Sequence, residues 1–255
     1  MSGFTPDFAG ADVRVSPNFG PRADGARVDI VILHYTGMDS AEAAEAWLCN
    51  PASEVSSHYL VHEDGRIVQM VREADRAWHA GRSSWHGDTD INSRSIGIEI
   101  ANPGPEGGYP DFAAPQIEAL IRLLRDITAR RGIRPERLLA HSDVAPGRKV
   151  DPGAKFPWRR LFDAGLGHLA TPVSGCAVAP SVPGQAGDHV EQLQSMLQLY
   201  GYGVEITGQF DAATSDAVQA FQLHFRPSRA DGIADAETLA MLHALLASLP
   251  GLQHR

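Results

Sequence analysis

Cysteine is scarce in this chain. Cys49 and Cys176 are the only two among 255 residues, which excludes a disulfide framework and leaves two unpaired thiols. Basic charge is also short: 22 Lys and Arg stand against 31 Asp and Glu, for a net charge of −9. A general nucleic-acid binder needs a basic face, so that class is excluded as well. No apolar run reaches the roughly 18 residues of a membrane span. The opening segment, Met1 to Arg22, has neither a basic stretch nor an apolar core of the secretory type. A cytoplasmic protein is expected as the sequence stands, and a periplasmic or outer-membrane-associated one if a leader has been removed. Lysine is nearly missing: Lys149 and Lys155 stand against twenty arginines. What is present is a chain 43% hydrophobic, enough for a sizeable core in one or two domains.

Residues 171–187 are rich in Pro, Gly, Ser and Ala and keep no helical or strand period. They read as a linker between a first part, 1–170, and a tail, 188–255. From residue 180 onward there are eight acidic and three basic residues, which again speaks against nucleic acid. The first part alternates strand and helix signals. Val28-Asp-Ile-Val-Ile-Leu-His34 reads as a buried central strand. Residues 39–49 read as a helix, with Asp39 and Glu42 spaced as a capping box. Residues 59–62 and 66–71 read as a hairpin turning at Asp64-Gly65. Ser95 to Ile100 is another strand, residues 115–131 an amphipathic helix, and Leu138 to Ala140 a short strand. The expected fold class is α/β, a mixed central sheet flanked by helices, followed by a small all-α unit of three helices. In that tail Gly208-x-x-Asp211-x-x-Thr214 repeats as Gly232-x-x-Asp235-x-x-Thr238, and each Asp suits a helix N-cap.

Of the eleven histidines, His168, His189, His224, His243 and His254 carry no partner pattern. His34 and His141 differ, because each ends an apolar strand, where sites on α/β sheets form. His141 opens His-Ser-Asp-Val-Ala-Pro-Gly-Arg-Lys-Val-Asp-Pro-Gly, whose prolines and glycines predict a shaped loop rather than a helix or strand. Such a loop could return Asp151 to a metal held by His141. Two His and one carboxylate leave a fourth zinc position open, the catalytic arrangement; spacing alone favours the plainer alternative, two core histidines and a turn aspartate. Glu99 is an odd choice inside Ile-Gly-Ile-Glu-Ile, because an unpaired buried charge is costly. It reads as a general acid/base in a cleft or as a member of an exposed face, with Gly97 leaving room beside it. Lys149 reads as an oxyanion stabiliser or an exposed loop cation.

At these residues the first part resembles a known family, the type-2 N-acetylmuramoyl-L-alanine amidases of the AmpD/AmiD group. The matching strings are Ile32-Leu-His-Tyr-Thr36, Val55-Ser-Ser-His-Tyr-Leu-Val61, Ala77-Trp-His-Ala-Gly81 with Ser84-Trp85, Asn92-Ser-Arg-Ser-Ile-Gly-Ile-Glu-Ile100 and the segment His141 to Gly153. They span residues 28–162 in the family's order. The resemblance implies one zinc per chain, held by His34, His141 and Asp151, with Glu99 and Lys149 as the catalytic pair. Related phage lysozymes and peptidoglycan-recognition proteins carry Cys as third ligand. Asp151, with Ser57 before His58-Tyr59, places this chain in the Asp/Glu branch. Tyr35 stands where many close relatives have Asn. Substrate contacts are expected from Tyr35, His58, His79, Trp85 and Asn102, although His58 and His79 suit supporting hydrogen bonds or core packing equally. The tail resembles the PG_binding_1 peptidoglycan-binding domains through Val190-x-x-Leu-Gln-x-x-Leu197 and its two Gly-Asp-Thr repeats.

The implied reaction is hydrolysis of the amide between the lactyl group of N-acetylmuramic, or 1,6-anhydro-N-acetylmuramic, acid and L-alanine. The implied partners are peptidoglycan fragments or anhydro-muropeptides. Loss of the third ligand would mark a non-catalytic wall sensor, and Asp151, Glu99 and Lys149 are all present. A zinc peptidase acting on the stem peptide would carry spacings such as His-Glu-x-x-His, which this chain lacks.

Overall fold

The β-branched run from residue 28 becomes the centre of a six-stranded sheet. The computed structural model describes residues 3–171 and 180–250. The elements are β1 (Ala11–Val13), β2 (Phe19–Gly20), β3 (Ile30–Tyr35), α1 (Ala41–Leu48), β4 (Tyr59–Val61), β5 (Ile67–Gln69), β6 (Arg76–Ala77), α2 (Ile91–Arg94), β7 (Ser95–Ile100), α3 (Ala114–Arg131), β8 (Leu138–Ala140), α4 (His141–Val144) and α5 (Trp158–Asp163). The tail adds α6 (Asp188–Tyr200), α7 (Ala212–Phe225) and α8 (Ala236–Ser248). The sheet order is β1-β5-β4-β7-β3-β8, with β2 and β6 forming a separate antiparallel pair. Strands β4, β7, β3 and β8 run parallel, and β5 joins β4 as the antiparallel hairpin expected from Asp64-Gly65.

One face of the sheet carries Val31, Leu33, Ile96 and Ile98, covered by Ile117, Leu120, Leu124 and Ile127 of α3. Each such apolar side chain contributes about 1.5–3 kcal/mol on leaving water. Gly132 ends α3 in the left-handed conformation that helix C-termini favour. On the other face, α1 packs Ala44 and Leu48 on Leu60, Val68 and Met70. Next to it, Ile30, Ile32 and Leu139 form one continuous core with Trp85 and the apolar faces of α6, α7 and α8. The tail is therefore docked on the sheet's second face rather than hung from it.

Two local expectations need correction. The N-cap of α1 is Ser40, whose hydroxyl accepts from the Ala43 N–H, and not Asp39. The segment after β8 is a helical turn, α4, rather than a plain loop, because the Asp143 carboxylate accepts the N–H of Ala140 and starts that turn. The tail caps hold: Asp211 accepts from the Thr214 N–H and Asp235 from the Thr238 N–H. Of the expected linker, residues 172–179 lie outside the described residues, as does Cys176; beyond them Ser181 pairs with Ala234 and Ala186 with Gln209. Cys49 is a free thiol, pushed up to about 11 by burial.

Candidate metal centre and cleft

Residue pairing across β3 and β7 sets His34 opposite Glu99. In parallel strands paired residues point to the same side, so both project from the face that α1 and the tail cover. Strand β8 flanks β3 on its other side up to Ala140, and His141 follows at once. All these are carboxyl ends of parallel strands, where α/β sheets place ligands. The chain then turns through α4 and returns, and the Ser142 N–H donates to the Asp151 carbonyl at 3.0 Å.

Three atoms that could ligate a metal converge. His34 Nδ1 lies 2.9 Å from His141 Nδ1 and 3.1 Å from Asp151 Oδ2, and His141 Nδ1 lies 3.0 Å from that same oxygen. All three residues are buried. The protons on the two rings follow from their outer partners. Ser95 Oγ donates to the Ile91 carbonyl, so it accepts from His79 Nε2–H. His79 Nδ1 is then a lone pair, which accepts from His34 Nε2–H at 3.0 Å. His141 Nε2 donates to the Ala80 carbonyl at 3.1 Å. Both Nδ1 atoms therefore turn bare lone pairs toward the Asp151 carboxylate. Three acceptors at about 3 Å with no donor between them repel one another unless a cation sits among them. The His-His-Asp set thus fits a metal ion, and its N and O donors suit zinc.

Burial, and next His141, lowers the His34 ring to about 4, so it is neutral at pH 7 as a ligand must be. His141 and His34 hold Asp151 well below the usual carboxylate range against the opposing effect of burial. Glu99 is pushed well above it, first by burial and then by Asp151, with Lys149 opposing. Its Oε2 is buried with no hydrogen-bond partner among the described residues. These groups open on a cleft of about 470 Å³, also lined by Tyr35, His79 and Lys149. Its rim carries Trp47, Val55 and Val150, all well exposed for their type.

The remaining expected contacts fall elsewhere. Trp85 is 1% exposed and packs edge-on against Tyr202 of the tail, outside the cleft lining. The Asn102 side chain donates to the Pro110 carbonyl and accepts from the Gly104 N–H, holding the loop after β7. His58 is fully buried beneath the cleft and accepts the Gly97 N–H. The space beside Gly97 is not room for Glu99 but the seat of His79: a Cβ there would meet the His79 ring at 2.5 Å. Sequence reading missed Ser95, the Ala80 carbonyl and the apolar rim. Only Gly97, a glycine inside a strand, signalled the close approach. It also missed Arg148, whose guanidinium donates to the Ala80 and Arg82 carbonyls and clamps the loop that carries Lys149.

Residues 24–154 match the family model "N-acetylmuramoyl-L-alanine amidase", and residues 186–242 match "Putative peptidoglycan binding domain". The chain is 40% identical over 235 residues to the N-acetylmuramoyl-L-alanine amidase AmiD of Escherichia coli K12, covering 86% of this chain and 83% of that one. It is 32% identical over 163 residues to the 1,6-anhydro-N-acetylmuramyl-L-alanine amidase AmpD of the same strain, covering 57% and 87%. Among solved structures, E. coli AmiD in complex with anhydro-N-acetylmuramic acid-L-Ala-D-gamma-Glu-L-Lys superposes with a TM-score of 0.74 at 38% identity, covering 88% and 91%. AmpDh3 of Pseudomonas aeruginosa with an anhydromuramic pentapeptide gives 0.69 at 33%, covering 91% and 94%. With these matches across both parts, the chain belongs to the N-acetylmuramoyl-L-alanine amidase family and carries a peptidoglycan-binding-type domain after it.

Proposed function

We propose that this protein is a zinc amidase that hydrolyses the bond between the lactyl group of N-acetylmuramic, or 1,6-anhydro-N-acetylmuramic, acid and the L-alanine of the stem peptide. The observation that carries the reading is the set of three acceptor atoms of His34, His141 and Asp151, converging beside an unpartnered Glu99 oxygen. We assign the first three as the zinc ligands, one ion per chain. Zinc held by these residues would acidify a bound water toward a pKa of about 7 and would polarise a neighbouring carbonyl. Glu99 takes the proton of the attacking water as its oxygen bonds to the lactyl carbon. The same carboxyl then delivers that proton to the alanine nitrogen as the carbon–nitrogen bond breaks. The Lys149 ammonium, which makes no ion pair or hydrogen bond among the described residues, faces the oxygen that gains charge. Products are the lactyl carboxylate and a peptide with a free amino terminus.

In this reading Tyr35 contacts substrate, His79 supports His34, and the apolar rim at Trp47, Val55 and Val150 receives the sugar or the first residues of the peptide. We divide the chain into an amidase unit, 1–170, and a wall-binding unit, 188–255, joined by 171–187. Among the described residues no helix is long and apolar enough to cross a membrane. A wall-binding unit suits polymeric peptidoglycan outside the cytoplasm, and fractionating cells that make the native product tests that placement. Digestion of defined muropeptides followed by mass spectrometry tests the reaction: release of the intact stem peptide supports it, and a cut within the peptide or no cut overturns it.

A further inference from the structure

Asp143 is fully buried, two residues beyond His141. Its carboxylate accepts three hydrogen bonds. Oδ2 takes the Ala140 N–H at 2.8 Å, the bond that starts α4. The other two donors come from the tail: Tyr202 Oη–H to Oδ1 at 2.7 Å and His224 Nδ1–H to Oδ2 at 2.7 Å. His224 is itself clamped, with its ring stacked on Trp158 at 3.7 Å and on Phe225 at 3.9 Å. A second contact lies further along the same segment. Asp216 of α7 sits so close to Gly147 that a Cβ at that glycine would meet the carboxylate at 2.1 Å. The tail therefore grips the stretch between His141 and Asp151 at two points, on either side of Pro146.

From this we infer that Tyr202 and His224, acting through Asp143, are positioning residues for the metal ligand His141, so that the wall-binding unit is a structural part of the metal centre. The argument rests on the zinc reading above. A buried carboxylate that loses a donor is left under-satisfied, which disfavours the native arrangement of whatever it anchors. Here the anchored group is the Ala140–His141 junction. Outer partners of metal ligands typically change affinity by about 10–100-fold when removed.

The test is zinc affinity of the full chain, measured by competition with a chromophoric chelator, for the wild type, Tyr202→Phe, His224→Leu and His224→Asn. Thermal unfolding is followed in parallel. Tyr202→Phe keeps the ring and removes only the donor; His224→Asn keeps a donor near the Nδ1 position. We expect zinc to bind about 10-fold more weakly in Tyr202→Phe and His224→Leu, and closer to the wild type in His224→Asn. A role confined to stability would lower the unfolding temperature and leave zinc affinity unchanged, and that result overturns the inference. If His224→Leu fails to fold, Tyr202→Phe decides alone. A wild type that takes up no zinc overturns the zinc reading itself, and is distinguished from variants that simply match a zinc-binding wild type.

Discussion

His34 Nε2 donates to His79 Nδ1 at 3.0 Å, and that one bond turns His34 Nδ1 toward His141 Nδ1 and Asp151 Oδ2. The His79 ring can reach it because residue 97 has no side chain. Gly97→Ala should therefore displace His79, free His34 to rotate and weaken zinc binding by about 10–100-fold. A chelator-competition titration checks this, and an unchanged affinity would show that His79 is not held over that strand.

Glu99 carries two predictions of opposite sense. Glu99→Gln should retain zinc and lose about 10²–10⁴ in kcat, because the proton carrier is gone. In the metal-free protein it should also raise stability near neutral pH. The sign follows from the upward displacement of its pKa in the fold. A carboxyl so displaced favours folding while protonated, and that contribution disappears as pH rises from the ordinary value of 4.5 through the folded one. Glutamine has no such penalty. Denaturant titration of both chelated proteins at pH 4 and pH 8 should show a gain only at pH 8.

The Lys149 ammonium is assigned to the developing oxyanion. Lys149→Ala should lower kcat by about 10²–10³ with little change in bound zinc, the loss typical of one electrostatic stabiliser. Steady-state kinetics alongside metal analysis separates this from loss of the ion.

The base of the site titrates with acid. Burial, and next Arg22, lowers His58 to about 3, and its Nδ1 must stay unprotonated to accept the Gly97 N–H. A histidine depressed in this way contributes stability above its ordinary value of 6.5, and that contribution is lost as pH falls from there toward 3. The slope of stability against pH over this window should flatten in His58→Asn. Equal slopes would contradict the assignment.

How much of this could be read from the residues alone varied with the range of the interaction. The ends of β3 and β8 were legible because an apolar run that stops at a histidine has local meaning. Asp151 needed the family resemblance, since a loop's return path depends on Pro and Gly geometry that spacing does not fix. The turn α4 was hidden because its start is an Asp143 side chain bonded back to Ala140. The tail's helices were legible through the repeats that cap two of them at Asp211 and Asp235, but not what those helices pack against. Trp85 is the clearest case. It belongs to a string shared with the family and looked like a cleft residue, yet it fills the seam between the sheet and Tyr202.

Stepwise addition of zinc to chelator-stripped protein, with amide hydrolysis of a muropeptide followed at each step, tests the account most directly. Activity should be absent at the start, rise linearly and level off at one equivalent, and the same titration of Asp151→Ala should stay flat. Full activity in the stripped protein, or a plateau that survives loss of Asp151, would contradict it.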